Sequence, residues 1–183
     1  MAKCKVCKST YIAIRPMQQV CSIQCAIDLS RMKAEKAHRK SAIETRKQTR
    51  LAKEKLKTRS EWAKEAQAAF NAWIRYRDRD QPCISCQRHH SGQYHAGHYR
   101  SVGSNPALRF EPLNVHKQCS VCNNYQSGNL IEYRINLERK IGADKLAWLE
   151  GPHDAKKYSV EELIEIRDKY RSMVNQAKKI PTI

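Results

Sequence analysis

The sequence predicts a mostly helical α+β protein organised by two cysteine clusters. Three observations lead there. Eight cysteines fall into four close pairs: Cys4/Cys7, Cys21/Cys25, Cys83/Cys86 and Cys119/Cys122. Helical periodicity begins near residue 60 and returns from 130 to 177. Between the last two cysteine pairs the pattern is instead extended, turn-rich and crowded with histidine.

Composition narrows the function class. The chain has 183 residues, with 35 Lys+Arg against 18 Asp+Glu, a formal charge of +17 and a pI near 9.7. That length suits one domain with appendages. No run approaches the ~18 consecutive apolar residues of a membrane span. The start, Met1-Ala2-Lys3-Cys4, carries no apolar signal-peptide core, so a cytoplasmic location is expected. The charge implies a polyanionic partner, with nucleic acid ahead of an anionic membrane surface.

In a reducing compartment, closely spaced thiols point to metal and not to disulfides. Two nearby thiolates from one turn, closed by two from another, make a tetrahedral zinc site. Proximity assigns Cys4, Cys7, Cys21 and Cys25 to one zinc, and Cys83, Cys86, Cys119 and Cys122 to the second. A four-thiolate site has no open position, so both zincs are expected to be structural. They would also supply folding free energy to a chain with little apolar core.

Along the chain, residues 1–27 read as a zinc module in which a short hairpin runs into a helix start. Residues 28–59 hold twelve lysines and arginines, with no Pro or Gly. Their apolar positions make no continuous stripe, so a solvated basic helical arm or a charged linker is expected. Residues 60–183 form the main domain. Ser60 is placed as an N-cap, and Trp62, Ala66, Phe70, Trp73 and Ile74 follow at core-helix spacing. Leu130, Tyr133, Leu137 and Ile141 share a face ending at Gly142. A short helix is expected over 143–150. Ser159 and Glu162 make a capping box for a last helix to about Ala177, with Val160, Leu163, Ile164, Tyr170 and Val174 facing inward.

Five of the seven histidines, His89, His90, His95, His98 and His116, lie between the second pair of cysteine turns. The segment Gln93–Tyr99 reads as a strand, with Leu108-Arg109-Phe110 and Val115-His116 as candidates for its partner. A helix starting near Cys119 would carry Cys122 and Asn123. The spacing therefore permits a ββα hairpin with a histidine on its first strand and an amide on its helix. His89 and His90 fall in a polar turn and read as surface residues.

This arrangement resembles the HNH, or ββα-metal, nuclease motif with a zinc staple. A longer set of segments resembles the NinG (Rap) family of lambdoid phages. It comprises residues 77–86, Ala96-Gly97-His98-Tyr99-Arg100, Leu108-Arg109-Phe110, residues 114–119, Cys122-Asn123 and Ser127-Gly128-Asn129-Leu130. The resemblance implies a recombination endonuclease acting on branched DNA such as D-loops and Holliday junctions, inside the bacterial host cell. Its site organisation is similar to that of endonuclease VII-like resolvases. By that resemblance His98 is the general base and Asn123 a ligand of a catalytic Mg²⁺ or Mn²⁺. Asn114 braces the loop that aims the histidine. Arg100, Lys117 and His116 are candidate DNA contacts, and His116 is also a candidate metal ligand or brace.

One departure matters. Related sites place an Asp beside or just before the histidine, where this chain has Gly97. His95 is a candidate replacement ligand, which would favour Mn²⁺, and Glu111 is another. No small-molecule cofactor is implied, and a homodimer would suit two cuts in one junction. The competing readings are a non-catalytic zinc-dependent binder of branched DNA and a general HNH nicking enzyme.

Overall fold

In the computed structural model, which describes residues 1–179, the chain forms two compact units, Met1–Lys57 and the remainder from Thr58. Among the described residues, no helix is long and apolar enough to cross a membrane.

The first unit begins with β1 (Ala2–Lys3) paired antiparallel to β2 (Thr10–Tyr11). The turn between them closes through Cys4 N donating to Ser9 O at 2.9 Å, with Lys8 in the left-handed region at φ 64°. Helix α1 spans Ile23–Lys55. Ser22 caps it by accepting from Cys25 N at 3.2 Å. The expected boundary between 27 and 28 is absent, because composition changes there but nothing breaks the helix. Ten Lys and Arg sit on α1 against four acids, and none of its residues is buried. At 1.5 Å per residue it is about 50 Å long.

The second unit is built on α2 (Arg59–Arg77) and α5 (Val160–Ala177). Thr58, not Ser60, caps α2, because Glu61 stands three residues beyond it and completes a capping box. Ser159 and Glu162 cap α5 in the same way. Trp62, Ala66, Phe70 and Ile74 pack with Leu163, Tyr170, Phe110 and Val115 into one core. The Phe70 and Tyr170 rings meet nearly edge to face at 4.9 Å.

A second core joins Ile84 and Leu108 to α3 (Leu130–Ile141) and α4 (Ala143–Glu150) through Tyr133, Leu137, Leu146 and Leu149. Gly142, at φ 88°, turns the chain between those helices.

Between the two cores lies a hairpin of β3 (Tyr94–His98) and β4 (Val115–Cys119), antiparallel, with His95 opposite Gln118 and Gly97 opposite His116. Leu108-Arg109-Phe110 is not a strand. Pro106 opens a 3₁₀ turn there, Pro106–Phe110. Past Cys119 the chain makes one π-helical turn, Val121–Tyr125, before α3.

A charged cluster locks α2 to the hairpin. Asp78, the C-cap of α2, accepts from Arg77 Nε at 2.8 Å and Nη2 at 2.7 Å, and from the β4 backbone at Lys117 N at 3.0 Å. Arg77 also donates to Pro112 O and Val115 O. Burial alone would raise the Asp78 pKa. The bonds and charge of Arg77, with the Lys140 charge nearby, instead hold it well below the usual carboxylate range.

This cluster corrects two expectations. His116 is 3% exposed, takes Arg77 Nη2 at 2.9 Å on Nδ1, and donates from Nε2 to Leu113 O at 3.1 Å. Lys117 is 6% exposed and donates to Arg79 O while lying over the Tyr94 ring. All five β4 residues are buried, so neither side chain is placed to meet DNA. Of the roles open to His116, the brace fits.

Removing one partner from such a cluster leaves the other charges unpaired in a poorly solvated place. Asp78→Asn should therefore lower unfolding stability by about 3–5 kcal/mol, measured by urea denaturation of the metal-loaded chain. An unchanged midpoint would show that the carboxylate is dispensable.

Candidate nuclease centre and metal sites

The two cysteine groups assemble as their spacing predicts. In each, the four sulfurs lie within 4.8 Å of one another, and each group could hold a metal ion. Cys4 and Cys7 come from the turn after β1, and Cys21 and Cys25 flank the capped start of α1. In the second group, Cys83 and Cys86 come from the turn after α2, Cys119 ends β4, and Cys122 sits in the π-helical turn. Backbone N–H groups support those sulfurs: Cys119 N donates to Cys83 Sγ at 3.3 Å and Cys122 N to Cys119 Sγ at 3.5 Å.

Without a cation the thiols oppose one another's ionisation. Cys21 is pushed up to about 12, chiefly by its contact with Cys7. Cys122 is pushed up to about 12, chiefly by burial and then by Cys119. A bound cation would relieve both conflicts. His90, read from sequence as a surface residue, is half-buried and places Nε2 3.2 Å from Cys86 Sγ.

Beside the second group lies an open cleft of about 710 Å³, lined by Ala96, His98, Tyr99, Arg100, Asn123 and Ser127 among others. It gathers His98, Arg100 and Asn123, three of the residues singled out in the sequence. His98 Nε2 lies 3.0 Å from Arg109 O. A carbonyl only accepts, so Nε2 carries the proton in the neutral ring and Nδ1 keeps its lone pair. Arg109 is itself held, since its Nε donates to Gln67 Oε1 at 2.8 Å. Burial lowers the His98 pKa. The carbonyl bond opposes that, and the Arg109 charge adds to it.

Asn114 is fully buried and braces the hairpin loop. Its Oδ1 accepts from Arg100 N at 2.7 Å, and its Nδ2 donates to Arg100 O at 3.0 Å and Leu108 O at 3.1 Å. It positions the backbone of Arg100 and is not among the residues lining the cleft, so its role is to hold the site's shape.

For the second cation the expected donors are only partly assembled. Among the described residues, no third group of three or more His, Cys, Asp or Glu could share an ion. His95 is not in the cleft lining, and its Nε2 is buried without a hydrogen-bond partner. Glu111 is also outside the lining and accepts from Leu113 N at 3.0 Å. Neither takes up the place ahead of His98 as expected. Asn123 Oδ1 does face that place, 3.1 Å from where a Cβ on Gly97 would stand. A neutral oxygen donor fits a hard divalent cation, provided other oxygens, including those of phosphate, complete its shell.

Comparison with known proteins finds one family across nearly all of the chain. The family model described as "Bacteriophage Lambda NinG protein" matches residues 1–180. "Protein ninG" of Escherichia phage 933W is 39% identical over 187 residues, covering 96% of this chain and 93% of that one. "Protein ninG" of Escherichia phage lambda is 46% identical over 123 residues, covering 67% of this chain and 60% of the relative. The Enterobacteria phage H19B protein of that name is 42% identical over 176 residues, covering 90% and 88%. No solved structure matches the chain.

Because burial disfavours its charged form, His98 should remain neutral at pH values where an ordinary histidine is half protonated, near 6.5. Imidazole NMR should place its titration below that value. A midpoint at or above it would contradict this environment.

Proposed function

The chain belongs to the NinG family of bacteriophage proteins, and on that premise we propose that it is a metal-dependent endonuclease cutting branched DNA during phage recombination. The observation that carries the proposal is His98. It stands in a cleft with Arg100 and Asn123, with one ring nitrogen tied to a carbonyl and the other free to accept a proton.

The chain's own residues divide the work as follows. His98 Nδ1 takes a proton from a water attacking the phosphodiester, and its lowered pKa keeps the base form available at neutral pH. Asn123 Oδ1 is the ligand offered to Mg²⁺ or Mn²⁺. When bound there, the ion neutralises charge on the scissile phosphate and on the departing oxygen. Arg100 lines the cleft, where its guanidinium suits a phosphate oxygen. The HNH reading rests on this His/Asn pair on a hairpin and the turn that follows it. Both cysteine groups are assigned to zinc, with structural roles, because four sulfurs leave no coordination position for substrate.

Helix α1 and the module that starts it supply the second half of the function. A solvated helix with a surplus of positive charge is suited to phosphate backbones, which it reads by geometry and not by sequence. The proposed preference for branched over linear duplex rests on the resemblance to the NinG family alone.

Two outcomes test this. With Mg²⁺ or Mn²⁺, the wild-type chain should cut four-way junctions or D-loops faster than linear duplex. His98→Ala should lose about 10²–10⁴-fold in rate while still binding the same DNA. Intact DNA with the wild type, or equal cutting by both proteins, would leave a branched-DNA binder. Deleting residues 1–57 should weaken binding and flatten the slope of log K against log salt, because each phosphate contact contributes about −0.9. An unchanged slope would remove α1 from the interface.

A further inference from the structure

Among the described residues, Gly97 is the only glycine inside a β-strand, and the reason lies across the hairpin. A Cβ at this position would overlap Gln118 Oε1 and stand 3.1 Å from Asn123 Oδ1. The space where a side chain would begin is therefore taken up by two carboxamide oxygens. Gly97 is not demanded by a left-handed backbone, since its φ is not among the positive values of the chain. It is demanded by what approaches it.

The orientation of Gln118 is fixed. Its Nε2 donates to Ser85 Oγ at 2.7 Å and to Gly128 O at 2.5 Å. A backbone carbonyl cannot donate, so the nitrogen must be on that side and the oxygen on the Gly97 side. Gln118 is 1% exposed and, like His95, lies behind the residues that line the cleft, reaching the site only past Gly97. Neither Gln118 Oε1 nor Asn123 Oδ1 is paired in the hydrogen bonds that fix its amide, and the Asn123 nitrogen is turned away onto Asn124 Oδ1 at 2.7 Å. Two amides are thus anchored by their nitrogens and present their oxygens to one point beside the residue preceding His98. Two oxygen dipoles with their negative ends together repel, unless a positive charge sits between them.

We propose that Gln118 is a metal-positioning ligand, and that its Oε1 with Asn123 Oδ1 forms a carboxylate-free seat for the divalent cation beside His98. Gln118 thereby takes the part of the acid that the sequence lacks at position 97. The inference rests on the nuclease reading only for what the ion is for; the seat itself is argued from the two oxygens. A seat without formal negative charge binds Mg²⁺ or Mn²⁺ weakly by itself. It would acquire the ion with the DNA, whose phosphate oxygens supply the missing charge. His95 faces Gln118 in the strand register, so its unpartnered Nε2 is the competing donor for the same ion.

The test uses the full zinc-loaded chain in a His98→Ala background, bound to an intact four-way junction, with Mn²⁺ titrated and followed by electron paramagnetic resonance. Gln118→Ala should weaken Mn²⁺ binding about tenfold or more, the scale on which metal affinity responds to a lost supporting group. Zinc content, and junction affinity measured without Mn²⁺, should stay unchanged. Because Gln118 also ties Ser85 to Gly128, a second variant guards against a folding defect. Gly97→Asp combined with Gln118→Ala opens the space and supplies a carboxylate there, and should restore Mn²⁺ binding to at least the wild-type level. Mn²⁺ affinity unmoved by Gln118→Ala would overturn the proposal, as would loss in His95→Ala alone. Failure of the nuclease reading looks different. The wild type would then cut no DNA, while the Gln118 effect on Mn²⁺ would persist.

Discussion

The second cysteine group is the constraint on which the candidate site depends. Its four sulfurs come from three places: the turn after α2, the end of β4, and the π-helical turn. Bringing them within 4.8 Å fixes where β4 stops and how the chain leaves it. Asn123 follows Cys122 directly, so the position of its oxygen is inherited from the sulfur before it. A turn with so few apolar residues of its own has little else to define it. Four thiols at this separation also resist joint ionisation, and a cation turns that conflict into folding free energy.

The Asp78 cluster performs a different task. Apolar packing between α2 and the hairpin would tolerate small slips. A carboxylate that must meet Arg77, the Lys117 backbone and the Lys140 side chain tolerates few. Such clusters are weak evidence for stability but good devices for setting register. Here the register decides which β4 residue lies opposite Gly97 and which lies opposite His95. A slip by one residue would exchange the faces of β4, turning Gln118 away from Gly97.

Much of this architecture was legible in the sequence because it rests on local chemistry. The capping box at Ser159 and Glu162, the break at Gly142 and the cysteine spacings each need only a few neighbouring residues. His98 and Asn123 were singled out through the resemblance, and the structure places both in one cleft. What escaped depended on pairing between distant segments. Gln118 belongs to no motif, and its relation to Gly97 exists only once β3 and β4 are in register. Lys117 and His116 looked like solvent-facing partners of a polyanion, yet β4 is buried on both faces between α2 and the elements around α3. Thr58 was passed over for Ser60, although Glu61 three residues on was the available signal. His90 looked like part of a polar turn, because nothing local shows that the turn folds back onto Cys86.

Helix α1 has a consequence of another kind. With none of its residues buried, it contributes no shape that another surface must match. Its charges are screened beyond about 8–10 Å at ordinary ionic strength, so each turn feels little beyond its near neighbours. On the proposed DNA-binding reading, such an element would act as a graded tether, not a lock. Shortening it turn by turn would trim attraction in small, nearly equal steps, and exchanging Lys for Arg along it would matter little. Its length and charge density, and not the identity of any one residue, are the properties that selection can adjust.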